Sequence, residues 1–166
     1  MLDQLIGYLK SQKIVLATAE SCTGGEVMAA LANHGDCGEC LFLGYVAYNE
    51  VAKQKELGVK KATIDEFTLT SEEVAREMVN GVFQHQEINA GIATTGVTGT
   101  KSMDGVPPGT VCFAWGFKSK NNITVFSETK LFKGASARLP RKAARYALSR
   151  LQKYHMEFLK LEPGCK

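Results

Sequence analysis

The stretch TAESCTGGEV at positions 18–27 follows the apolar run KIVLA at positions 13–17. The run is short and partly β-branched, which predicts a buried strand over residues 14–17. Apolar residues resume at 27–31 in the pattern of a helix. Small polar residues between a strand and a helix leave unpaired backbone N–H groups at the helix start, where an anion or a reacting oxygen can bind. The stretch therefore predicts a strand–loop–helix unit with a candidate ligand site in its loop.

The rest of the chain continues this alternation of strands and helices. Apolar periodicity predicts further helices at 1–13, 50–57, 70–83 and 141–159, and further strands at 41–48, 88–96, 109–117 and 123–132. The segment KSKNN joins the last two strands, and its length and composition are typical of an antiparallel hairpin. This order of elements predicts the α/β class, as a three-layer α/β/α sandwich around a mixed β-sheet.

Length and composition limit the classes of protein to which the chain can belong. The 166 residues suit one domain, which we assign to residues 1–160, with 161–166 as a loose tail. The net charge of +3 is small and scattered, so no nucleic-acid partner is expected. No apolar run reaches the roughly 20 residues of a membrane helix, and the first residues lack the pattern of a signal peptide. We expect a cytoplasmic homo-oligomer without membrane association, and the odd number of cysteines, five, fits reduced thiols.

Three polar loops follow predicted strands, at 20–25 (ESCTGG), 48–53 (YNEVAK) and 94–100 (TTGVTGT). Ligands bind beyond the carboxyl ends of the strands in open α/β sheets, so we expect the three loops to form one cleft. In ESCTGG, the hydroxyl groups of Ser21 and Thr23 are candidate ligand contacts. Alternatively, one of them caps the helix while its neighbours face solvent.

Tyr48 and Lys53 are candidate catalytic residues in the second loop. Burial of a lysine in a cleft lowers its pKa because burial disfavours the charged form, and the neutral amine can then act as a base. A nearby tyrosine hydroxyl can relay a proton. The alternative is a tyrosine at the edge of the core and a solvated lysine.

The segment HGDCGEC at 34–40 carries a separate group of reactive side chains. His34, Cys37 and Cys40 have the spacing of metal ligands, and the two cysteines also match a redox pair. Structural zinc takes four ligands, and the chain has no second CxxC motif. An ordinary thiol-containing loop is the third interpretation.

Several of these segments resemble one known family. TAESCTGG, GYVAYNEVAKQKELGV, TSEEVAREM, GIATTGVTG and PPGTVCFAW occur here in the order seen in the CinA carboxy-terminal domain family, which includes bacterial nicotinamide-nucleotide amidohydrolases. The resemblance covers nearly the whole chain. It implies an α/β/α fold that hydrolyses the carboxamide of nicotinamide mononucleotide to nicotinic acid mononucleotide and ammonia, without a metal or organic cofactor.

The resemblance also implies roles for individual residues. The family uses a serine nucleophile supported by a tyrosine and a lysine, which match Tyr48 and Lys53. The segments that line the family's nucleotide cleft correspond here to Glu20, Ser21, Thr23, Gly24, Gly25, Thr95, Gly96, Gly99, Pro108, Gly109 and Thr110.

The sequence departs from the family pattern in three places. We expect the family's nucleophilic serine in a G-S-S segment before the tyrosine, but that segment reads DCGEC at 36–40, with Gly38 at the serine position. The family's G-D-R before the last helix is Gly-Ala-Ser at 134–136, and its G-P-x-G-G loop is GTKSMDG at 99–105.

These departures leave three hypotheses about function. The first is an amidohydrolase with Cys37 as the nucleophile, Lys53 as its base and backbone N–H groups of ESCTGG around the oxyanion, with Ser21 as a second candidate nucleophile. The second is a catalytically inactive homologue that binds a nucleotide or a partner. The third is a thiol or metal site at Cys37 and Cys40.

Overall fold

The computed structural model describes residues 2–120, 122–133 and 137–162. Within these residues the helices are α1 (Leu2–Ser11), α2 (Glu26–Ala32), α3 (Glu50–Leu57), α4 (Lys61–Phe67), α5 (Glu72–Gly81), a 3-10 turn (Val82–Gln84) and α6 (Leu139–Leu161). The strands are β1 (Leu16–Glu20), β2 (Leu41–Val46), β3 (Ala90–Gly96), β4 (Thr110–Ser119) and β5 (Asn122–Leu131). In this part of the chain, no helix is both long enough and apolar enough to cross a bilayer.

The strands form one mixed sheet in the order β2-β1-β3-β4-β5. β1 pairs in parallel with β2 and β3, whereas β4 pairs antiparallel with β3 and with β5. The predicted fold class and the predicted hairpin are therefore confirmed. The carboxyl ends of β1, β2 and β3 lie at the same edge of the sheet because these three strands are parallel.

Two hydrophobic cores cover the two faces of the sheet. Alternate residues of a strand point to opposite faces, so Leu16 belongs to the core with α1, α2 and α6, and Ala17 belongs to the core with α3, α4 and α5. Trp115 of β4 is fully buried in the first core, where its indole N–H donates to the carbonyl of Ala147 in α6 at 2.9 Å. Helices on both faces of the sheet make the three layers.

The boundaries of some elements differ from the sequence-based prediction. β1 begins at Leu16 and ends at Glu20. Its start is two residues later, and its end three residues later, than in the predicted strand at 14–17. The shift places a carboxylate at the end of a strand that is buried along its whole length. The helix α4 was not predicted, because only Ile64 of its seven residues is buried and its apolar pattern is correspondingly weak. The departure at 134–136 and the end of the predicted tail, 163–166, lie outside the described residues.

We expect opposite effects on stability from alanine at two helical glycines. A Cβ on Gly81 would lie 2.2 Å from the carbonyl oxygen of Leu57, so α3 and α5 would have to separate. A Cβ on exposed Gly7 in α1 meets nothing within 4 Å. Urea denaturation should show that Gly81→Ala lowers the free energy of unfolding by about 1–3 kcal/mol, whereas Gly7→Ala raises it by about 0.5–1 kcal/mol. Equal effects at the two sites would contradict the close packing of α3 against α5.

Candidate active site

The carboxylate of Glu20 closes the loop between β1 and α2. Its side chain is fully buried. Oε2 accepts hydrogen bonds from the Thr23 hydroxyl at 2.7 Å and from the amides of Gly25 and Val27 at 3.0 Å, and Oε1 accepts from the amide of Met28 at 2.9 Å. Free N–H groups at the start of a helix attract an anion. In α2 this anion is the carboxylate of Glu20, a side chain of the protein itself.

This arrangement corrects the predicted ligand site in the ESCTGG loop. Glu20 and Thr23 are buried, and neither they nor Gly24 and Gly25 line the cavity described below. Thr23 is further fixed by a 2.7 Å hydrogen bond between its hydroxyl and that of Thr94 in β3. In the structure these four residues shape the turn, and none of them lines the cavity.

Ser21 and Lys53 form the polar centre of the site. The amide of Ser21 donates to the carbonyl of Thr94 at 2.9 Å, which fixes Ser21 directly after the end of β1 and beside the last residues of β3. The ammonium group of Lys53 donates to the Ser21 hydroxyl oxygen and to the carbonyl of Ala47, both at 2.8 Å, and to the carbonyl of Tyr48 at 3.4 Å. The exposed fractions of Lys53 and Ser21 are only 1% and 7%. The structure thus joins the predicted Lys53 to the second candidate nucleophile, Ser21.

Helix α3 holds Lys53 in this position. Asn49 caps the helix by accepting a hydrogen bond from the amide of Ala52 at 2.8 Å, so the helix begins immediately after the loop that follows β2. Lys53 lies one turn into the helix and reaches back over that loop. Burial lowers its pKa to about 8, and interaction with Cys22 opposes this shift. A lysine with this pKa has a substantial neutral fraction near neutral pH.

The Ser21–Lys53 pair opens into a cavity of about 440 Å³. The end of β3 and the following loop, residues 95–103, form much of its wall, and Leu69 and Thr70 form another part. Among the predicted residues, Thr95, Gly96 and Gly99 line the cavity together with Ser21. Tyr48 lies at its mouth with an exposed fraction of 73%. Sequence reasoning missed Leu69, Thr70 and the lysine of this loop, Lys101.

Pro108, Gly109 and Thr110, which were predicted to line the cleft, do not line this cavity. Gly109 and Thr110 support the loop from behind, since the amide of Gly109 donates to the carbonyl of Val97 at 2.8 Å and the amide of Val97 donates to the carbonyl of Thr110 at 2.9 Å. Gly109 has φ 90°, and a Cβ there would lie 2.3 Å from the carbonyl oxygen of Phe132. Their role in the structure is to fix the course of the loop.

Cys37 does not meet Lys53. It is 2% exposed in the core on the α1, α2 and α6 face, and its thiol donates to the carbonyl of Leu31. Cys40 precedes β2, and its backbone carbonyl accepts a hydrogen bond from the amide of Leu16, at the start of β1. β2 therefore separates both cysteines from Tyr48 and Lys53 by the length of six extended residues, roughly 20 Å. The expectation that Cys37 lies beside Lys53 is wrong for this geometric reason.

The metal interpretation of the segment at 34–40 also lacks support. His34 contacts Asp3, with 2.8 Å between Nε2 and Oδ1. Within the described ranges, no three His, Cys, Asp or Glu side chains come close enough together to hold a metal ion.

We expect Glu20→Gln to destabilise the protein far more than Glu26→Gln. The two carboxylate oxygens of Glu20 now accept four hydrogen bonds. A glutamine side chain has only one oxygen, and its NH₂ group would face a backbone N–H or hydroxyl donor that it cannot accept. The predicted loss for Glu20→Gln is about 2–3 kcal/mol in the free energy of unfolding. Glu26 is the first residue of α2, the helix whose amides Glu20 binds, but it forms a surface ion pair with Arg141 at 3.1 Å, so the loss of stability from Glu26→Gln should be within about 0.5 kcal/mol. Urea denaturation of both variants measures the difference, and similar losses would refute the role given to Glu20.

Comparison with known proteins places the chain in a family. Residues 1–155 match the model of the CinA C-terminal domain. Protein YdeJ of Escherichia coli K12 is 35% identical over 144 residues, which cover 86% of this chain and 81% of YdeJ. A putative competence-damage inducible protein of Clostridium perfringens is 43% identical over 99 residues, 59% of this chain, and the match spans only 24% of that longer protein.

Solved structures agree with this assignment. The competence or damage-inducible protein of Enterobacter asburiae has a TM-score of 0.81 at 32% identity, covering 90% of this chain and 95% of that one. A competence/damage-inducible protein of Agrobacterium tumefaciens has a TM-score of 0.78 at 26% identity, covering 89% of each chain. The chain belongs to the CinA C-terminal domain family.

Proposed function

We propose that this protein is an amidohydrolase that converts nicotinamide mononucleotide to nicotinic acid mononucleotide and ammonia, with Ser21 as nucleophile and Lys53 as base. The observation that carries the proposal is the buried 2.8 Å hydrogen bond between Lys53 and the Ser21 hydroxyl. When Lys53 is neutral, the direction of this bond reverses and the hydroxyl donates to the amine. A lysine with a lowered pKa beside a serine is a recognised way to activate that serine.

The reaction follows from these two groups. Neutral Lys53 takes the proton of Ser21 as the serine oxygen attacks the carboxamide carbon, and the resulting ammonium then gives a proton to the leaving nitrogen, so that ammonia departs. An ester between Ser21 and the substrate remains. Lys53 next takes a proton from water, which attacks the ester and releases the carboxylic acid. Lys53 finally returns a proton to the serine oxygen, which restores the enzyme.

Two further groups suit the charges that develop. The backbone amides of Cys22 and Thr23 directly follow the nucleophile and are not among those bound by Glu20. We assign them to the oxyanion of the tetrahedral intermediate, a position that the amide after the nucleophile takes in other serine hydrolases. The hydroxyl of Tyr48, at the cavity mouth, is assigned to relaying protons between Lys53 and the substrate nitrogen.

The cavity suits an anionic ligand of mononucleotide size. Its volume of about 440 Å³ falls in the range of small-molecule sites. Among the described residues that line it, none is a carboxylate, Lys101 supplies a positive charge in addition to Lys53, whose neutral form is the base, and Thr98, Thr100 and Ser102 contribute hydroxyl groups. A phosphate group is matched by such cations and hydroxyls. Burial also raises the pKa of the neighbouring Cys22 thiol to about 12, so no thiolate charge repels the phosphate.

The second candidate function is a catalytically inactive homologue that binds the nucleotide. The observation that favours it is the departure at 134–136, where the family's G-D-R is Gly-Ala-Ser. A protein of this kind would bind nicotinamide mononucleotide without releasing ammonia.

Ammonia release distinguishes the candidate nucleophiles. Ser21→Ala should reduce the release of ammonia from nicotinamide mononucleotide by at least about 10³-fold, because the acyl intermediate can no longer form. Cys37→Ala should retain most of the activity of the folded protein, since its thiol is buried in the far core. Activity that survives Ser21→Ala and disappears with Cys37→Ala would contradict the assignment. Binding without turnover in the unmodified protein would favour the second candidate.

The pH dependence of the rate tests Lys53. Its lowered pKa means that the active, neutral amine gains population as the pH rises, so kcat/KM for ammonia release should increase with pH through a midpoint near 8. Lys53→Arg keeps the positive charge but cannot lose its proton in this range, and it should be inactive at every pH. A rate that is flat between pH 6 and pH 10, or an active Lys53→Arg variant, would exclude Lys53 as the base.

A further inference from the structure

Thr68 has a backbone conformation that is almost confined to glycine. Its φ is 68° and its ψ is 168°, at the junction between α4 and α5. A side chain with a branched Cβ is strained in this region, and such strain persists only where the surroundings enforce it. Strained residues of this kind gather near functional sites. The two residues that follow, Leu69 and Thr70, line the cavity that contains Ser21 and Lys53.

Hydrogen bonds hold the strained segment at several points. The amide of Thr68 donates to the carbonyl of Ile64 at 2.9 Å, and the Ser71 hydroxyl donates to the carbonyl of Thr68 at 3.0 Å. The hydroxyl of Thr95, at the end of β3, donates to the carbonyl of Leu69 at 2.8 Å. Residues 68–71, which we name the hook, are thus fastened to α4 on one side and to the sheet on the other.

The side chain of Thr68 does not itself account for the conformation. Its hydroxyl is buried and has no hydrogen-bond partner among the described residues. A threonine here therefore contributes both backbone strain and an unpaired polar atom, and each of these lowers stability. The conformation is therefore held by the hydrogen bonds of the neighbouring groups, among them those from Ser71 and Thr95.

We propose that Thr95 is a positioning residue whose hydrogen bond to Leu69 holds the hook against the backbone strain of Thr68, so that Leu69 and Thr70 stay in the wall that meets the substrate. The inference rests on the proposed function only for the identity of that substrate. Without the bond from Thr95, the strain in Thr68 is released, and the hook moves away from Ser21 and Lys53.

Four variants separate the strain from the bond. Thr68→Gly removes the strain, because glycine adopts this conformation readily. Thr68→Val is the matched control, since it retains the branched Cβ and removes only the hydroxyl. Thr95→Val removes the bond to Leu69 with little change in shape. The double variant Thr68→Gly, Thr95→Val has neither the strain nor the bond.

Stability and structure test the strain without any assay of function. The Tm of Thr68→Gly should be about 2–5 °C above that of Thr68→Val, because both variants lack the unpaired hydroxyl and only glycine removes the backbone strain. Thr95→Val should lower Tm less in the original chain than in the Thr68→Gly background, because only the original chain gains relief of strain. A crystal structure of Thr95→Val should show a negative φ at residue 68 and a displaced Leu69. A positive φ with Leu69 unmoved would overturn the proposal.

Substrate affinity tests the same cycle, and here the larger effect of Thr95→Val is expected in the original chain. Thr95→Val should raise KM for nicotinamide mononucleotide more in the original chain than in the Thr68→Gly background, by on the order of 5-fold, because the glycine keeps the hook in place without the bond. Any direct contact of Thr95 with the substrate is lost in both backgrounds and cancels in this ratio. If the protein binds the nucleotide without cleaving it, the same ratio of Kd values is measured by calorimetry. Equal ratios in the two backgrounds would refute the idea that the Thr95 bond holds the hook against the strain of Thr68, whether or not the protein is an enzyme.

Discussion

The carboxylate of Glu20 is the interaction on which the geometry of the site depends. It lies at the end of a fully buried strand and binds three backbone amides at the start of α2 together with the Thr23 hydroxyl. A buried carboxylate is stable only with such a complete set of donors. Because Glu20 turns toward the helix, the next residue, Ser21, is fixed at the carboxyl edge of the sheet. The helix dipole and its free amides thus act within the protein, to shape the turn that presents the serine.

The burial of Lys53 is the second feature on which the site depends, because burial lowers the pKa of an amine. Its three acceptors, the Ser21 hydroxyl oxygen and the carbonyls of Ala47 and Tyr48, are all uncharged. A carboxylate in their place would stabilise the ammonium form and raise the pKa. With only neutral acceptors, burial instead lowers the pKa of Lys53 to about 8. The parallel pairing of β1 with β2 is what brings this lysine, one helix turn after β2, to the serine that follows β1.

Sequence patterns predicted the fold and named both Lys53 and Ser21, but they put Cys37 ahead of Ser21 as the nucleophile, and the reasons for the failures are physical. Alternating strands and helices fixed the layers, and the polar loops after β1, β2 and β3 indicated the correct edge of the sheet. The burial of Glu20 depends on tertiary packing, so its role could not be read from the loop sequence alone. The position of Cys37 could have been excluded earlier, since the predicted strand at 41–48 lies between it and Lys53, and residues before and after a strand lie at opposite ends of it. The same reasoning favours Ser21, because β1 and β2 end at the same edge.

The central claim is that Ser21, and not a cysteine, is the activated nucleophile. Labelling with a small serine-directed fluorophosphonate, followed by mass spectrometry with fragment ions that separate Ser21 from Cys37, tests this claim most directly. The account predicts one phosphonyl group per chain, on Ser21, formed more slowly when nicotinamide mononucleotide is present. Absence of any label on Ser21 in the folded protein at pH 9, about one unit above the pKa of Lys53, would contradict it.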